Sequence, residues 1–196
     1  MKNTGKTEEK GCEELNGVPV YFFDTVISTM DVAEEFFKEG KTGIVVAKQQ
    51  EKGRGRYGKR WYSPEGGLYF SWILKGEPLY PLFLLEILSL SVAETLKYFG
   101  IDCRIKLPND IITNGKKIAG ILIVKKGDCY ITGIGININN TLEDKTLQVS
   151  VRDIIGKDIA EKRVLKKFIN IFLQYKQGLY IKPDKHFKQW SEYLIK

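Results

Sequence analysis

Residues 103–138 read CRIKLPNDIITNGKKIAGILIVKKGDCYITGIGINI, and the fold class turns on how this run is divided. Asn114-Gly115 is a two-residue hairpin signal, because both residue types tolerate the positive φ that a tight turn between antiparallel strands needs. Lys126-Gly127-Asp128 supplies a second turn. The stretches around these turns are rich in Ile, Val, Leu and Tyr, so the run predicts three strands joined by hairpins. The proline of KLPND bends the chain and presents Asn109 and Asp110 at a strand end.

Outward from this run, helix and strand patterns are mixed. Val18–Phe23 and GIVVA at 43–47 are β-prone, and GLYFSWIL at 67–74 sets Leu68, Phe70, Trp72 and Leu74 against Tyr69, Ser71 and Ile73. Ser28 with Asp31 reads as a capping-box start to a helix that Gly40 ends. Pro81 suits the first turn of a long apolar helix ending near Phe99-Gly100. That helix carries Glu86 and Glu94 at helical spacing, so it reads as buried and not as a membrane span. Asp158 with Glu161 predicts another helix start, and Phe187, Trp190 and Leu194 predict a final apolar stripe beside His186. The expectation is α+β: a single mixed, largely antiparallel sheet flanked by helices, spanning 17–196 after a flexible charged tail at 1–16.

The 196 residues suit one domain, and 43% apolar with 12% aromatic content excludes global disorder. The net charge of +7 suits an anionic partner without choosing between nucleotide, nucleic acid and acidic protein. Cys12, Cys103 and Cys129 form no CxxC pair, which argues against a zinc site or disulfide framework and for a reducing, cytoplasmic setting. The N-terminus MKNTGKTEEKGCEELNG has no apolar core, so it does not read as a signal peptide.

Residues 52–67, KGRGRYGKRWYSPEGG, hold five cations, five glycines and a single carboxylate, Glu65. Gly53, Gly55 and Gly58 let backbone N–H groups turn to one point, and Arg54 and Arg56 bring forked donors suited to phosphate. No GKS or GKT follows, and the segment runs into a strand, so it fits neither the P-loop nor the dinucleotide pattern. Trp61 offers a flat face for a ring ligand. Alone, the loop reads first as a solvated basic loop and second as an RNA-binding patch.

In order, STM (28–30), QQEKGRGRYGKRWYSPEGG (49–67), KLPND (106–110), NGKKIAGIL (114–122) and GIGININ (133–139) resemble the motif set of the biotin protein ligases. The likeness runs from about Tyr21 to Trp190. It implies a catalytic domain similar to those of class II aminoacyl-tRNA synthetases and lipoate ligases. It also implies a two-step reaction using ATP, Mg2+ and biotin. Biotin's carboxylate attacks the α-phosphate to give biotinyl-AMP, and a lysine of a biotin carboxyl carrier protein, such as that of acetyl-CoA carboxylase, then takes the biotinyl group.

By this resemblance Ser28, Thr29 and Gln50 meet the ureido end of biotin. Gly53, Arg54 and Arg56 close over the carboxylate and phosphate, Trp61 covers the adenine side, and Lys117 contacts carboxylate or phosphate. Asn109 and Asp110 lie near the phosphates, the metal or the incoming lysine; Gly120, Gly133 and Gly135 allow close ligand approach; Asn137 faces the adenine. Arg56, Lys117 and Asp110 are the expected catalytic residues. Relatives often form homodimers, and with no helix-turn-helix pattern before Val18, specific DNA binding is not expected.

Four departures from the pattern matter. Met30 stands where many members have Asn, so one biotin hydrogen bond is absent or replaced. Leu107 replaces a usual Trp, and Val124 lies where many have Glu. The chain ends at WSEYLIK, near where other members begin a small C-terminal β-barrel that aids ATP or acceptor binding, so acceptor affinity and turnover are what that departure touches. The competing readings are a lipoate–protein ligase of the same fold and a basic nucleic-acid-binding protein whose affinity would fall steeply with salt.

Overall fold

The computed structural model describes residues 8–75, 81–179 and 183–195, the side chains of 178, 179 and 183–186 excepted. In chain order its elements are β1 (Glu9–Leu15), β2 (Val18–Val26), α1 (Thr29–Lys38), β3 (Gly43–Gln50), β4 (Leu68–Lys75) and α2 (Pro81–Tyr98). Then come β5 (Arg104–Lys106), β6 (Asp110–Thr113), β7 (Lys116–Lys126), β8 (Cys129–Ile136), α3 (Val151–Ile155), α4 (Glu161–Leu179) and α5 (Pro183–Tyr193). The strands form one eight-stranded sheet in the order β1-β2-β3-β4-β8-β7-β6-β5. Only β2 and β3 run parallel, so the sheet is mixed and largely antiparallel as expected.

The run at 103–138 folds as its turns demand. Asn114 and Gly115 have φ of 50° and 75°, and the hairpin they close joins β6 to β7. The run holds four strands and not three, because the bend at Pro108 separates short β5 from short β6. Residues 9–15 are not a tail. They pair antiparallel with β2, Cys12 opposite Tyr21 and Leu15 opposite Val18, and their charged side chains stay exposed on the sheet edge.

The alternation in β4 divides the two layers. Leu68, Phe70, Trp72 and Leu74 face a large core shared with α2 and α4, whose Phe168 and Phe172 pack on Phe70 and Trp72. Ile73 faces a smaller core beneath α1, with Phe23, Val26 and Phe36. A strand buried on both faces has no polar side to solvate, which is why nearly the whole of β4 is apolar or aromatic. The helix α2 is buried through its middle, from Leu84 to Leu96, and burial pushes the Glu86 carboxyl's pKa up. Among the described residues no helix is long and apolar enough to cross a membrane.

Three helix ends differ from their sequence reading. Ser28 caps α1 by accepting from Met30 N at 3.3 Å, but Asp31 turns away from the box to pair with Arg54. A capping box is found instead at Ser150 with Asp153, at the start of α3, a helix the sequence reading missed. Asp158 caps nothing: it pairs with Arg152, and α4 begins at Glu161, where Arg163 N donates to Ala160 O. In α5, Trp190 is buried and donates to Ser89 Oγ at 2.9 Å, whereas Phe187 is 56% exposed and leaves the predicted stripe. The side chain of His186 lies outside the described residues. Ser150→Ala removes the hydroxyl's bonds with Asp153 N and Asp153 Oδ2 from a fully buried position and leaves only the backbone half of the box, Ser150 N to Asp153 Oδ2. It is expected to cost about 1–2 kcal/mol in a urea melt, with the slope unchanged.

Candidate active site

On the α1 face the middle of the sheet is left open, forming a cavity of about 300 Å³ over β8 and β7. One end is polar and uncharged. Thr29, at the first turn of α1, donates its N–H to Gln50 Oε1 at 2.9 Å and shares a 2.8 Å hydrogen bond between its hydroxyl and Ser71 Oγ. Gln50 Nε2 donates to Ser63 Oγ at 2.9 Å, and Ser63 in turn to Trp61 O. An amide nitrogen carries two N–H groups, so Gln50 keeps one donor without a partner among the described residues.

The other end is cationic, and the basic loop builds it. The loop is closed by its own backbone: Gln50 N to Ser63 O at 3.0 Å, Trp61 N to Gly53 O at 2.9 Å, and Gly55 N to Lys59 O at 2.7 Å. A Cβ on Gly53 would run into Trp61 O and Ser63 Oγ, so glycine is what allows the two sides of the loop to meet. At its base Tyr69, whose hydroxyl pKa burial pushes well above the ordinary value, donates to Pro64 O at 2.8 Å. Five cationic side chains line the cavity, Arg54, Arg56, Lys59, Arg60 and Lys117, against one carboxylate, Asp110.

Those charges are held from several elements. Arg54 pairs with Asp31 of α1. Arg56 reaches from the loop to Asn109 Oδ1 at 3.5 Å and donates to Tyr57 Oη at 2.7 Å. Asn109 is itself fixed to β7, its Nδ2 donating to Ile121 O at 3.0 Å. Lys117 Nζ lies 2.6 Å from Asp110 Oδ1 and 4.9 Å from the centre of the Trp61 ring.

Two paired glycines shape the floor. Gly120 of β7 stands opposite Gly135 of β8, and the Trp61 indole lies across both. A Cβ at Gly120 would come within 2.9 Å of the ring, and one at Gly135 would run into its Nε1. The bare backbone at these two positions therefore seats the protein's own indole. That differs from the expectation that a ligand would press directly on it. The Trp61 Nε1 proton is buried without an acceptor.

Every residue named from the sequence as a site candidate lines this cavity except Gly53 and Asn137. Gly53 shapes the loop from behind. Asn137 lies one residue past the end of β8 at Ile136, and its side chain is buried. It donates to Val149 O at 3.4 Å and accepts from Asn140 at 3.2 Å. Sequence reasoning missed Lys59, Arg60 and Tyr57 as lining residues, and Ser71 and Ser63 as the supports of Thr29 and Gln50. A serine on the inner face of an aromatic strand was the available signal for Ser71.

The donor set also bears on a metal. Among the described residues no three His, Cys, Asp or Glu side chains gather as ligands, and Asp110 is the only carboxylate lining the cavity. One carboxylate suits Mg2+ that arrives on phosphate oxygens as part of a nucleotide substrate.

Residues 22–139 match the biotin/lipoate A/B protein ligase family. Among curated proteins, the chain is 32% identical over 193 residues to the bifunctional ligase/repressor BirA of Bacillus spizizenii, covering 88% of this chain and 59% of that protein. The chain thus spans about three-fifths of that relative's length. Among solved structures it is similar to the biotin protein ligase from Aquifex aeolicus in complex with biotin and ATP. There the TM-score is 0.74 at 33% identity, over 82% of this chain and 71% of that one. The Leishmania major biotin protein ligase in complex with biotinyl-5-AMP aligns with a TM-score of 0.79 at 25% identity, over 90% and 81% of the two chains.

Proposed function

The chain belongs to the biotin/lipoate A/B protein ligase family, and on that footing we propose that it condenses biotin with ATP to biotinyl-5′-AMP and transfers the biotinyl group to one lysine of a biotin carboxyl carrier domain. The observation that carries this reading is the polarity of a single cavity. An uncharged hydrogen-bonding end built on Thr29, Gln50 and Ser71 faces an end lined by five cations. A neutral ureido ring suits the first, and a carboxylate beside a triphosphate suits the second.

In the first step a carboxylate oxygen of biotin bonds to the α-phosphorus, the bond to the bridging oxygen breaks, and pyrophosphate leaves. Both reactants are anions, so the barrier is largely their mutual repulsion, and fixed positive charge is the appropriate remedy. Lys117 and Arg56 enter from opposite sides, one from β7 and one from the loop, each already held by a neighbour. Asp110 is the one lining carboxylate that would hold a Mg2+ arriving with the nucleotide, and the ion would supply charge neutralisation on the phosphates. Trp61, seated on Gly120 and Gly135, borders the adenine in this reading.

In the second step the acceptor lysine nitrogen bonds to the acyl carbon and AMP departs with the anhydride oxygen. The amine must lose a proton, and Asp110 is the lining carboxylate able to take it. Neither step requires an enzyme nucleophile; positioning and charge suffice. The three free cysteines suit a reducing compartment.

The test is a mass measurement. The protein is incubated with ATP, Mg2+, equimolar biotin and lipoate, and a carrier domain bearing the acceptor lysine. The carrier is expected to gain the mass of biotin alone. A carrier bearing lipoate would establish the sister activity in its place, and the absence of any adenylate or adduct would sink the reading.

A further inference from the structure

Met30 lines the cavity from α1 but takes no part in its side-chain hydrogen bonds. Its side chain is 6% exposed and rooted in the smaller core with Phe23, Val26 and Phe36. Its thioether emerges over β8 at Gly133, where a Cβ would stand 2.7 Å from Met30 Sδ and 3.2 Å from its Cγ. Gly133 is paired across the sheet with Ser71 on one side and Leu122 on the other. Since Ser71 carries the hydrogen bond to Thr29, the sulfur lies where the uncharged end of the cavity meets its floor.

Hydrogen bonds and volume divide the labour at that end. Thr29 and Gln50 can test whether a ligand's polar groups match, whereas a thioether can only limit size. It is also the most adaptable apolar side chain, unbranched and polarisable, so it closes on whatever ring lies beside it. Gly133 matters because any side chain there would force the sulfur to move from its seat beside the cavity. We propose that Met30 and Gly133 form a matched pair that sets the largest ring head the acid substrate can carry. This rests on the biotin ligase reading and adds a specificity determinant to it.

The pair predicts compensation. Gly133→Ala, by displacing the thioether from that seat, is expected to raise KM for biotin about tenfold with kcat less affected, the cost of roughly one misplaced methylene. Gly133→Ala with Met30→Ala is expected to recover most of that loss. Met30→Ala alone is expected to raise kcat/KM for bulkier heads at least about tenfold relative to biotin, for biotin sulfone or for a ureido-N-methyl biotin, which enlarge opposite ends of the bicycle. Met30→Leu conserves volume and should keep the wild-type ratio, separating size from any loss of folding.

Adenylate formation is followed by pyrophosphate release for all four variants beside the wild type. Wild-type protein that adenylates biotin, together with a double variant no better than Gly133→Ala, overturns the matched pair alone. An unchanged analogue ratio in Met30→Ala does the same. Wild-type protein that adenylates no biotin overturns this inference together with the function it rests on.

Discussion

Lys117→Ala is expected to lower kcat/KM for biotin adenylation by about 10²–10³-fold, the usual cost of deleting one preorganised charge from a transition state. The lysine sits between two groups that fix it. Asp110 holds its Nζ at 2.6 Å, and the Trp61 ring lies 4.9 Å away, so the ammonium is aimed before substrate arrives. Its removal acts twice, because the cavity loses one of its five cations while its single carboxylate loses its partner. An anionic substrate would then meet an exposed repulsion as well as a missing attraction. Stability should change little, since both partners are more than a quarter exposed and such pairs contribute about 0–1 kcal/mol. Lys117→Arg should recover only part of the rate, because a planar fork cannot take the place of a compact ammonium between a ring and a carboxylate. Exchange of pyrophosphate into ATP, measured beside a denaturant melt, separates these effects. A rate within threefold of wild type would remove Lys117 from the charge-stabilising role.

How much of this was legible beforehand follows from the range of the forces involved. The Asn114-Gly115 hairpin, the basic loop and the buried helix α2 are products of local chemistry, and the sequence shows them directly. β1 was not legible, because a charged edge strand has no apolar pattern of its own and takes its register from β2. The order of the sheet was also hidden. Nothing local says that β4 lies beside β8, yet that neighbour relation sets Ser71 against Gly133 and so carries Thr29 to the cavity. The glycines of β7 and β8 were visible as missing side chains, and what fills the gaps was not. Trp61 comes from a loop more than fifty residues earlier in the chain, and Met30 from α1. Asn137 lies one residue past the end of β8, and its bond to Val149 O joins it to a segment whose place beside the sheet no local pattern announces.

The other large effect is expected on the opposite face of the sheet. Phe168→Ala should destabilise the fold by about 3–5 kcal/mol, the range for removing a buried aromatic ring that neighbours cannot replace. The ring is fully buried, with its centre 5.1 Å from that of Phe70, 6.4 Å from Trp72 and 6.1 Å from Phe172. Phe70 and Trp72 lie in a central strand and cannot close on the void without bending the sheet, so little relaxation is available. A domain of this size commonly has only about 5–15 kcal/mol to lose. The cavity should nevertheless keep its geometry while the chain is folded, because β4 turns Ser71 to the α1 side and Phe70 away from it. Binding of biotin and ATP to the native state then restores apparent stability, by about 2.7 kcal/mol at a hundred times the dissociation constant. The variant is therefore expected to melt at much lower denaturant, to be rescued in part by its substrates, and to adenylate biotin at a near-normal rate per folded molecule in the cold. Normal stability with lost activity would mean that the aromatic layer and the site are coupled through the sheet, and that β4 does not insulate one face from the other.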